Sequence, residues 1–181
     1  MTMDDEHLAA IATDHLIDLR HQRIGFIAGP DDHSPADWRI DGWRGAMARA
    51  GFDASGLCER GDLGFDSGLA AARALLDLPD PPTAIIASSD QMAVATLEVA
   101  RADGLSVPDN LSLFSFDNTP IVRFTERPMT ALDQPIAATT TKAVELLIDG
   151  KSRTGDEEPI VMEGCLMVRG STGRVPLRVV G

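Results

Sequence analysis

Short apolar segments alternate with helical segments along this chain, and this alternation limits the folds available to it. The apolar segments are hydrophobic throughout, which is typical of parallel strands covered on both faces. We expect the following order: strand 23–28, helix 35–50, helix 66–78, strand 83–88, helix 91–103 and strand 111–116. The pattern predicts an α/β fold with a parallel sheet.

Both ends of the chain add further elements to this pattern. A helix is predicted before the first strand, at 7–21, and a second one at 136–149, between Pro135 and Gly150. Residues 151–158 form a predicted polar turn. Two short strands are then expected on either side of Gly164, at 160–162 and 166–168.

Composition excludes several classes of protein. The 181 residues carry a formal net charge of −12 and no cluster of lysine or arginine, so this segment is not expected to bind nucleic acid directly. No apolar stretch approaches the roughly 20 residues that span a membrane, and the acidic N-terminus is unlike a secretory signal. Cys58 and Cys165 lack the spacing of a zinc site, and we expect both to be buried. We therefore expect a cytoplasmic protein without a metal or cofactor.

Polar residues follow three of the predicted strands. They lie at 29–34, at Ser88-Ser89-Asp90 and at Asp117-Asn118, and Arg39 lies one turn into the neighbouring helix. Ligands of open parallel sheets bind beyond the carboxyl ends of the strands. Carboxylate, hydroxyl, amide and guanidinium groups together suit a polyol or a purine-like ring. The alternative, equally weighted on composition, is that Asp90 only caps its helix and Asp117 only starts a turn.

Catalysis is less well supported than binding. The four histidines, His7, His15, His21 and His33, have no nucleophile at motif spacing, and we expect them to be solvated. No phosphate-binding glycine motif and no G-x-S-x-G motif occurs. Trp43 lies four residues after Arg39, on the same helix face, so it either lies near the cleft or packs in the core beneath it.

Five segments match, in order, the segments typical of LacI-type transcriptional regulators. They are His15–Pro30, Arg39–Trp43, Ser89–Ala93, Val107–Asp117 and Val168–Ser171. The chain therefore resembles the effector-binding region of these regulators over roughly residues 4–172. The resemblance implies two lobes similar to periplasmic sugar-binding proteins of type I, with a ligand cleft between them.

The resemblance also implies a function. In this family a small molecule, usually a sugar, a sugar phosphate or a nucleobase, shifts the lobes of a dimer, and an N-terminal helix-turn-helix headpiece binds operator DNA. We expect this chain to be a non-enzymatic sensor that forms a homodimer and acts on DNA only through a headpiece that this sequence lacks. One alternative is a periplasmic-type sugar-binding transport protein, and a less favoured one is a small α/β enzyme.

The family's ligand contacts map onto particular residues here. Arg39 matches an effector-contacting arginine, Asp117 the aspartate of a G-[FY]-D motif, and Gln134 a polar position of the cleft. Ser89 replaces the usual asparagine and is expected to face the effector, with Asp90 capping the helix. Ser115 replaces a glycine. The predicted ligand-binding set is Arg39, Asp117, Ser89, Gln134, Asp90, Trp43 and Leu63, the last at a position where an aromatic residue often covers the ligand.

The same resemblance predicts how the lobes divide the chain. Residues 1–29 and 133–159 are assigned to remnants of the first lobe, and residues 30–132 and 160–178 to a complete second lobe. The remnants are too small for an independent sheet, which usually needs three or more strands. We therefore expect a truncated first lobe that exposes apolar surface.

Overall fold

The structure, a computed structural model, describes residues 2–134, 139–141, 144–145, 148, 161–162 and 164–175. Its elements are β1 (Thr2–Met3), α1 (Asp5–Asp18), β2 (Ile24–Ala28), α2 (Ser34–Arg49), β3 (Cys58–Arg60), α3 (Phe65–Leu76), β4 (Ala84–Ala87), α4 (Asp90–Ala102), β5 (Ser112–Asp117), a 3-10 turn (Pro120–Arg123), β6 (Thr130–Asp133), β7 (Val161–Met162) and β8 (Cys165–Met167).

Six strands form one sheet in the order β3-β2-β4-β5-β6-β8. Every neighbouring pair is parallel except β6 and β8, which are antiparallel. The predicted α/β class with a parallel sheet is confirmed. None of the described helices is long and apolar enough to cross a membrane.

Helices cover both faces of the sheet, which explains why its central strands are apolar throughout. Along β4, Ile86 packs into a cluster with residues of α1 and α2, including Leu16 and Trp43. Its neighbours Ile85 and Ala87 pack on the opposite side, with residues of α3 and α4. Successive side chains of a strand point to opposite faces, so each strand here contributes to two cores.

Helix α1 and strand β2 are built into this same sheet and its covering layer. Strand β2 is hydrogen-bonded between β3 and β4, and α1 packs against α2. The contact is close: a Cβ atom on Gly42 of α2 would lie 2.0 Å from the carbonyl oxygen of Glu6. The placement differs from the predicted assignment of residues 1–29 to a separate first lobe. Their apolar side chains are buried against residues 30–132 instead.

The C-terminal part of the chain is described only in pieces. Of the helix predicted at 136–149, residues 139–141, 144–145 and 148 are helical, and the rest lies outside the described residues. The turn predicted at 151–158 also lies outside them. Strands β7 and β8 confirm the two short strands expected near Gly164, and β7 pairs in parallel with β1.

Two expectations about burial are wrong. His21 is fully buried rather than solvated: its Nδ1 lies 2.8 Å from Thr83 Oγ1, and its Nε2 lies 3.0 Å from both Ser112 Oγ and the Gly173 carbonyl oxygen. Polar neighbours at the amino ends of β4 and β5 make this burial possible. Cys165 is exposed because β8 is the last strand of the sheet, whereas Cys58 is half-buried.

Candidate functional site

The carboxyl ends of the parallel strands meet at one edge of the sheet, named here the carboxyl edge. Residues 29–30 and 88–90 follow β2 and β4 there, and residues 117–118 and 133–134 include the last residues of β5 and β6. Three of these segments are the polar strand ends predicted from the sequence. The fourth belongs to β6, a strand that the sequence pattern did not predict.

Helix α2 places Arg39 beneath this edge, where its guanidinium group is held from several sides. Nε donates a hydrogen bond of 2.6 Å to Oδ1 of Asp5, and Nη1 donates one of 3.0 Å to the Ser88 carbonyl oxygen. The guanidinium carbon lies 4.4 Å from the centre of the Phe116 ring. Both members of the Arg39–Asp5 ion pair are buried. Asp5 was not predicted as a site residue, because an acidic residue in the first turn of a helix is common at solvated helix starts.

Asp117 ends β5 in a left-handed backbone conformation, with φ of 85°, and Asn118 follows with φ of 56°. This sharp turn leaves the Asp117 carboxyl half-buried, with Oδ1 accepting a hydrogen bond of 2.8 Å from Gln134 Nε2. Burial raises the pKa of Asp117 to about 6, against the opposing effect of Arg39. The two predicted residues Asp117 and Gln134 are thus in direct contact.

Ser89, and not Asp90 as predicted, caps helix α4. Ser89 is the N-cap of α4: its Oγ accepts a hydrogen bond of 3.2 Å from the Met92 amide and donates one of 2.7 Å to the Leu63 carbonyl oxygen. Asp90 instead accepts hydrogen bonds from Ser115 Oγ and, at 2.5 Å, from the Thr119 amide. A serine oxygen at the N-cap position reaches the first turn of the helix, so the carboxylate is free to order the loop after β5.

Leu63 lies close to the carboxyl edge, in a left-handed conformation with φ of 72°. A Cβ atom added to Gly29 would lie 3.0 Å from its Cδ2, so its side chain packs over the end of β2. It is half-buried, and its role in covering a ligand stays a prediction.

Trp43 lies in the core and does not reach the carboxyl edge, so its prediction as a ligand contact is corrected. It is fully buried, its ring stacks on Phe26 at 5.5 Å, and Nε1 donates a hydrogen bond of 3.2 Å to the Ile24 carbonyl oxygen. Ile24 is the first residue of β2, so Trp43 points toward the amino end of the sheet while Arg39, one turn earlier, reaches toward the other end.

A second polar network, which the sequence analysis did not predict, connects residues at the outer part of the edge. Asn118 donates a hydrogen bond of 2.7 Å from Nδ2 to Asp133 Oδ1 and accepts one of 2.6 Å from Arg169 Nη2. Arg169 also donates from Nη1 to the Met129 carbonyl oxygen at 2.5 Å. Its partners are 40 and 51 residues away in sequence, so no local pattern indicates them.

Chemically, the edge offers hydrogen-bonding groups rather than a reaction centre. Within the described part of the chain, no group of three or more His, Cys, Asp or Glu side chains is placed to hold a metal ion. Among the described residues, the buried Ser88 hydroxyl at this edge has no hydrogen-bond partner.

Comparison with known proteins decides which family has this architecture. The sequence pattern of the periplasmic binding protein-like domain matches residues 13–172. The chain belongs to this family. The curated relatives named here are transcriptional regulators. The transcriptional repressor CytR of Escherichia coli K12 is 36% identical over 176 residues, covering 96% of this chain and 52% of the relative. The regulator CelR of Thermobifida fusca is 38% identical over 162 residues, covering 88% and 48%.

Solved structures that match this chain are also of transcriptional regulators. A complex of CelR with cellobiose matches with a TM-score of 0.85 and 38% identity, covering 93% of this chain and 52% of that one. A sugar-binding LacI-family regulator of Escherichia coli in complex with phosphate matches with a TM-score of 0.87 and 25% identity, covering 95% and 62%. The resemblance to LacI-type effector-binding regions is confirmed. The chain spans about half the length of the curated relatives named here.

Proposed function

We propose that this chain is the effector-binding region of a LacI-family regulator and that it binds a sugar or related small molecule at the carboxyl edge. The observation that carries the proposal is the convergence of Arg39, Ser88, Asp117 and Gln134 at one edge of a parallel sheet. A neighbour in complex with cellobiose supports a sugar as the effector. In the whole regulator, operator DNA would be bound by a headpiece outside this sequence.

The groups at the edge suit the hydroxyls of a polyol, each of which donates and accepts hydrogen bonds. In the proposed complex Asp117 accepts from a hydroxyl, while the amide of Gln134 and the guanidinium group of Arg39 donate. The effector acts through linkage: it shifts the regulator toward the arrangement that it binds more tightly. This is a binding function without catalysis, and for a DNA-binding regulator the place of action is the cytoplasm.

We assign α1, β2 and the other strands of the six-stranded sheet to one lobe, whose carboxyl edge forms one wall of the cleft. The support is that α1 and β2 bury their apolar residues against this sheet. The helix predicted at 136–149 is assigned to the opposite lobe. A transport protein of the same architecture is less favoured, because the curated relatives are regulators.

For the homodimer, we propose a surface along α4. Phe124 is 84% exposed and Ile121 49% exposed. Glu126 and Arg127, which follow Phe124 in the same loop, line a groove of about 570 Å³ together with Phe65. Large exposed apolar patches rimmed by polar residues are typical of protein–protein interfaces. The charged residues at the rim suit the same surface of a second copy.

The binding proposal is tested by thermal-shift screening with a panel of sugars that includes cellobiose and ribose, followed by calorimetry with each ligand that stabilises the protein. At a hundredfold excess over Kd, a true effector raises the free energy of unfolding by about 2.7 kcal/mol. We expect Arg39→Ala and Asp117→Ala to abolish binding. Arg49→Ala is the control, because Arg49 lies on the same helix but is exposed and pairs with Asp14. Unchanged affinity in both site variants would contradict the site.

A further inference from the structure

The guanidinium group of Arg39 already has a carboxylate partner within the protein. Asp5 Oδ1 accepts from Nε at 2.6 Å, and the two residues are 6% and 8% exposed. Charge-assisted hydrogen bonds of this length are the strong ones, and they are stronger away from water. An effector that approaches Arg39 therefore meets a neutralised ion pair and not a free positive charge.

The rest of the carboxyl edge is negatively charged. Two other described arginines donate hydrogen bonds to the edge, and neither is free. Arg169 is bound to Asn118 and to a backbone carbonyl group. Arg60 donates to the Gly29 carbonyl oxygen at 3.2 Å and forms ion pairs with Asp31 and Asp37. Asp5 and Asp90 act electrostatically on Asp117 in the direction opposite to Arg39. The carboxylates at or beneath the edge are Asp5, Asp90, Asp117 and Asp133. An anionic group that enters this edge is therefore repelled, and its desolvation is not offset by a free cation.

An uncharged hydrogen-bonding group is also available. The Ser88 hydroxyl is buried, at 2% exposure, and is without a hydrogen-bond partner among the described residues. Ser88 continues the alternation of β4, in which Ile86 points to the face covered by α1 and α2, so its side chain lies on the same face as Arg39. A buried hydroxyl left without a partner costs free energy, and a ligand hydroxyl restores the missing bond.

We propose that Asp5 determines effector specificity. Because Asp5 forms an ion pair with Arg39, the carboxyl edge binds an uncharged polyhydroxylated effector and excludes phosphorylated sugars and other anions. The inference rests on the proposed function and narrows it, since the sequence left sugars, sugar phosphates and nucleobases open. Asp5 acts on the ligand through Arg39 and through its own charge.

The test compares anion binding by the protein and by two charge variants. Asp5→Asn keeps the size and one hydrogen-bond acceptor for Arg39 but removes the charge. Asp14→Asn is the matched control, because it removes one carboxylate from the same helix at an exposed position. Calorimetry with inorganic phosphate, and with ribose and ribose 5-phosphate, measures the three proteins. We expect Asp5→Asn to gain affinity for phosphate by about tenfold or more, the factor by which one nearby charge shifts ionisation equilibria in proteins, and Asp14→Asn to show no gain.

Each outcome has a defined meaning. A folded Asp5→Asn protein with unchanged phosphate affinity overturns the inference, as does an unsubstituted protein that binds ribose 5-phosphate at least as tightly as any neutral sugar of the panel. Circular dichroism and thermal unfolding establish folding; if Asp5→Asn is unfolded, the comparison of neutral and phosphorylated sugars on the unsubstituted protein decides alone. If no sugar binds but Asp5→Asn gains phosphate affinity, the proposed sugar-binding function fails while the role of Asp5 in excluding anions stands.

Discussion

At the scale of single residues, His21 couples protonation to folding. Burial lowers its pKa below the ordinary value of 6.5, against the opposing hydrogen bond to Gly173. A histidine with a lowered pKa in the folded state binds fewer protons there than in the unfolded chain. The stability it contributes is therefore present above pH 6.5 and is lost as the pH falls through and below that value.

We predict that His21→Gln flattens the acid side of the stability profile. Urea denaturation between pH 7.5 and 5 measures the slope of the free energy of unfolding against pH. The raised pKa of Asp117 works in the opposite direction, since that carboxyl binds its proton more readily in the folded state, so only the difference between variant and parent isolates His21. His7→Gln, at an exposed position of α1, serves as the control. Equal slopes for His21→Gln and the parent contradict the prediction.

Asp117 gives effector binding its own pH dependence. With a pKa of about 6, its carboxyl changes charge in the range where binding is easily measured. The ionised form accepts the stronger hydrogen bond from a ligand hydroxyl, so we predict that affinity falls as the pH drops from 7 to 5. Calorimetry across this range tests it. Asp117→Asn retains the shape without the charge, and the same pH dependence in that variant would rule out Asp117 as the source.

The sequence predicts which polar residues lie at the carboxyl edge, but not which hydrogen bonds each of them forms. The strand-end positions identified Ser89, Asp90 and Asp117 as neighbours at one edge. Which of Ser89 and Asp90 caps α4 depended on Ser115 and Thr119, which lie on another strand and loop and supply donors to the Asp90 carboxylate. Asp5 and Arg169 were missed for the same reason, because their partners are distant in sequence.

At the scale of elements, the crossing of α1 and α2 depends on Gly42. A Cβ atom there would lie 2.0 Å from a backbone oxygen of α1, and backbone atoms cannot move aside as a flexible side chain does. We predict that Gly42→Ala lowers the free energy of unfolding by about 1–3 kcal/mol or more, the usual cost of overpacking. Gly45→Ala on the same helix is the control: its Cβ meets only the end of Arg49 at 3.7 Å, and alanine gains about 0.5–1 kcal/mol over glycine in a helix. Equal stability of the two variants in urea denaturation would contradict this account of the crossing.

Elements with strong apolar patterns were predicted to within a few residues, whereas the short strands β1, β3 and β6 were missed. Strands β2, β4 and β5 are buried along most of their length, which gives the continuous hydrophobic pattern that sequence analysis detects. Strand β3 has three residues, half-buried or exposed, and lies at the edge of the sheet, so its pattern is that of a loop. The residues of a strand also do not indicate which other strands it pairs with. The sequence prediction therefore places β2 in a different lobe from β3 and β4, the strands with which it pairs.

At the scale of the whole molecule, we expect the exposed apolar residues near α4 to be buried in the proposed homodimer. Phe124 is the most exposed large hydrophobic residue among those described, and its loop lines the groove along α4. Burying such a side chain contributes roughly 1.5–3 kcal/mol relative to leaving it exposed, and a homodimer interface buries two copies. The proposed dimer therefore depends on this residue more than on the charged rim.

We predict that Phe124→Ser weakens self-association and leaves the fold intact. Sedimentation velocity over a range of protein concentrations measures the monomer–dimer equilibrium, and circular dichroism checks the fold. Trp38→Ser is the control, since Trp38 is also exposed but lies on α2, on the opposite face of the sheet from α4. We expect the dissociation constant of the dimer to rise by about tenfold or more for Phe124→Ser, because each 1.4 kcal/mol of lost interaction corresponds to a factor of ten. Dissociation by Trp38→Ser instead would move the interface to the other face, and a parent protein that stays monomeric at all concentrations would exclude dimerisation of this region by itself.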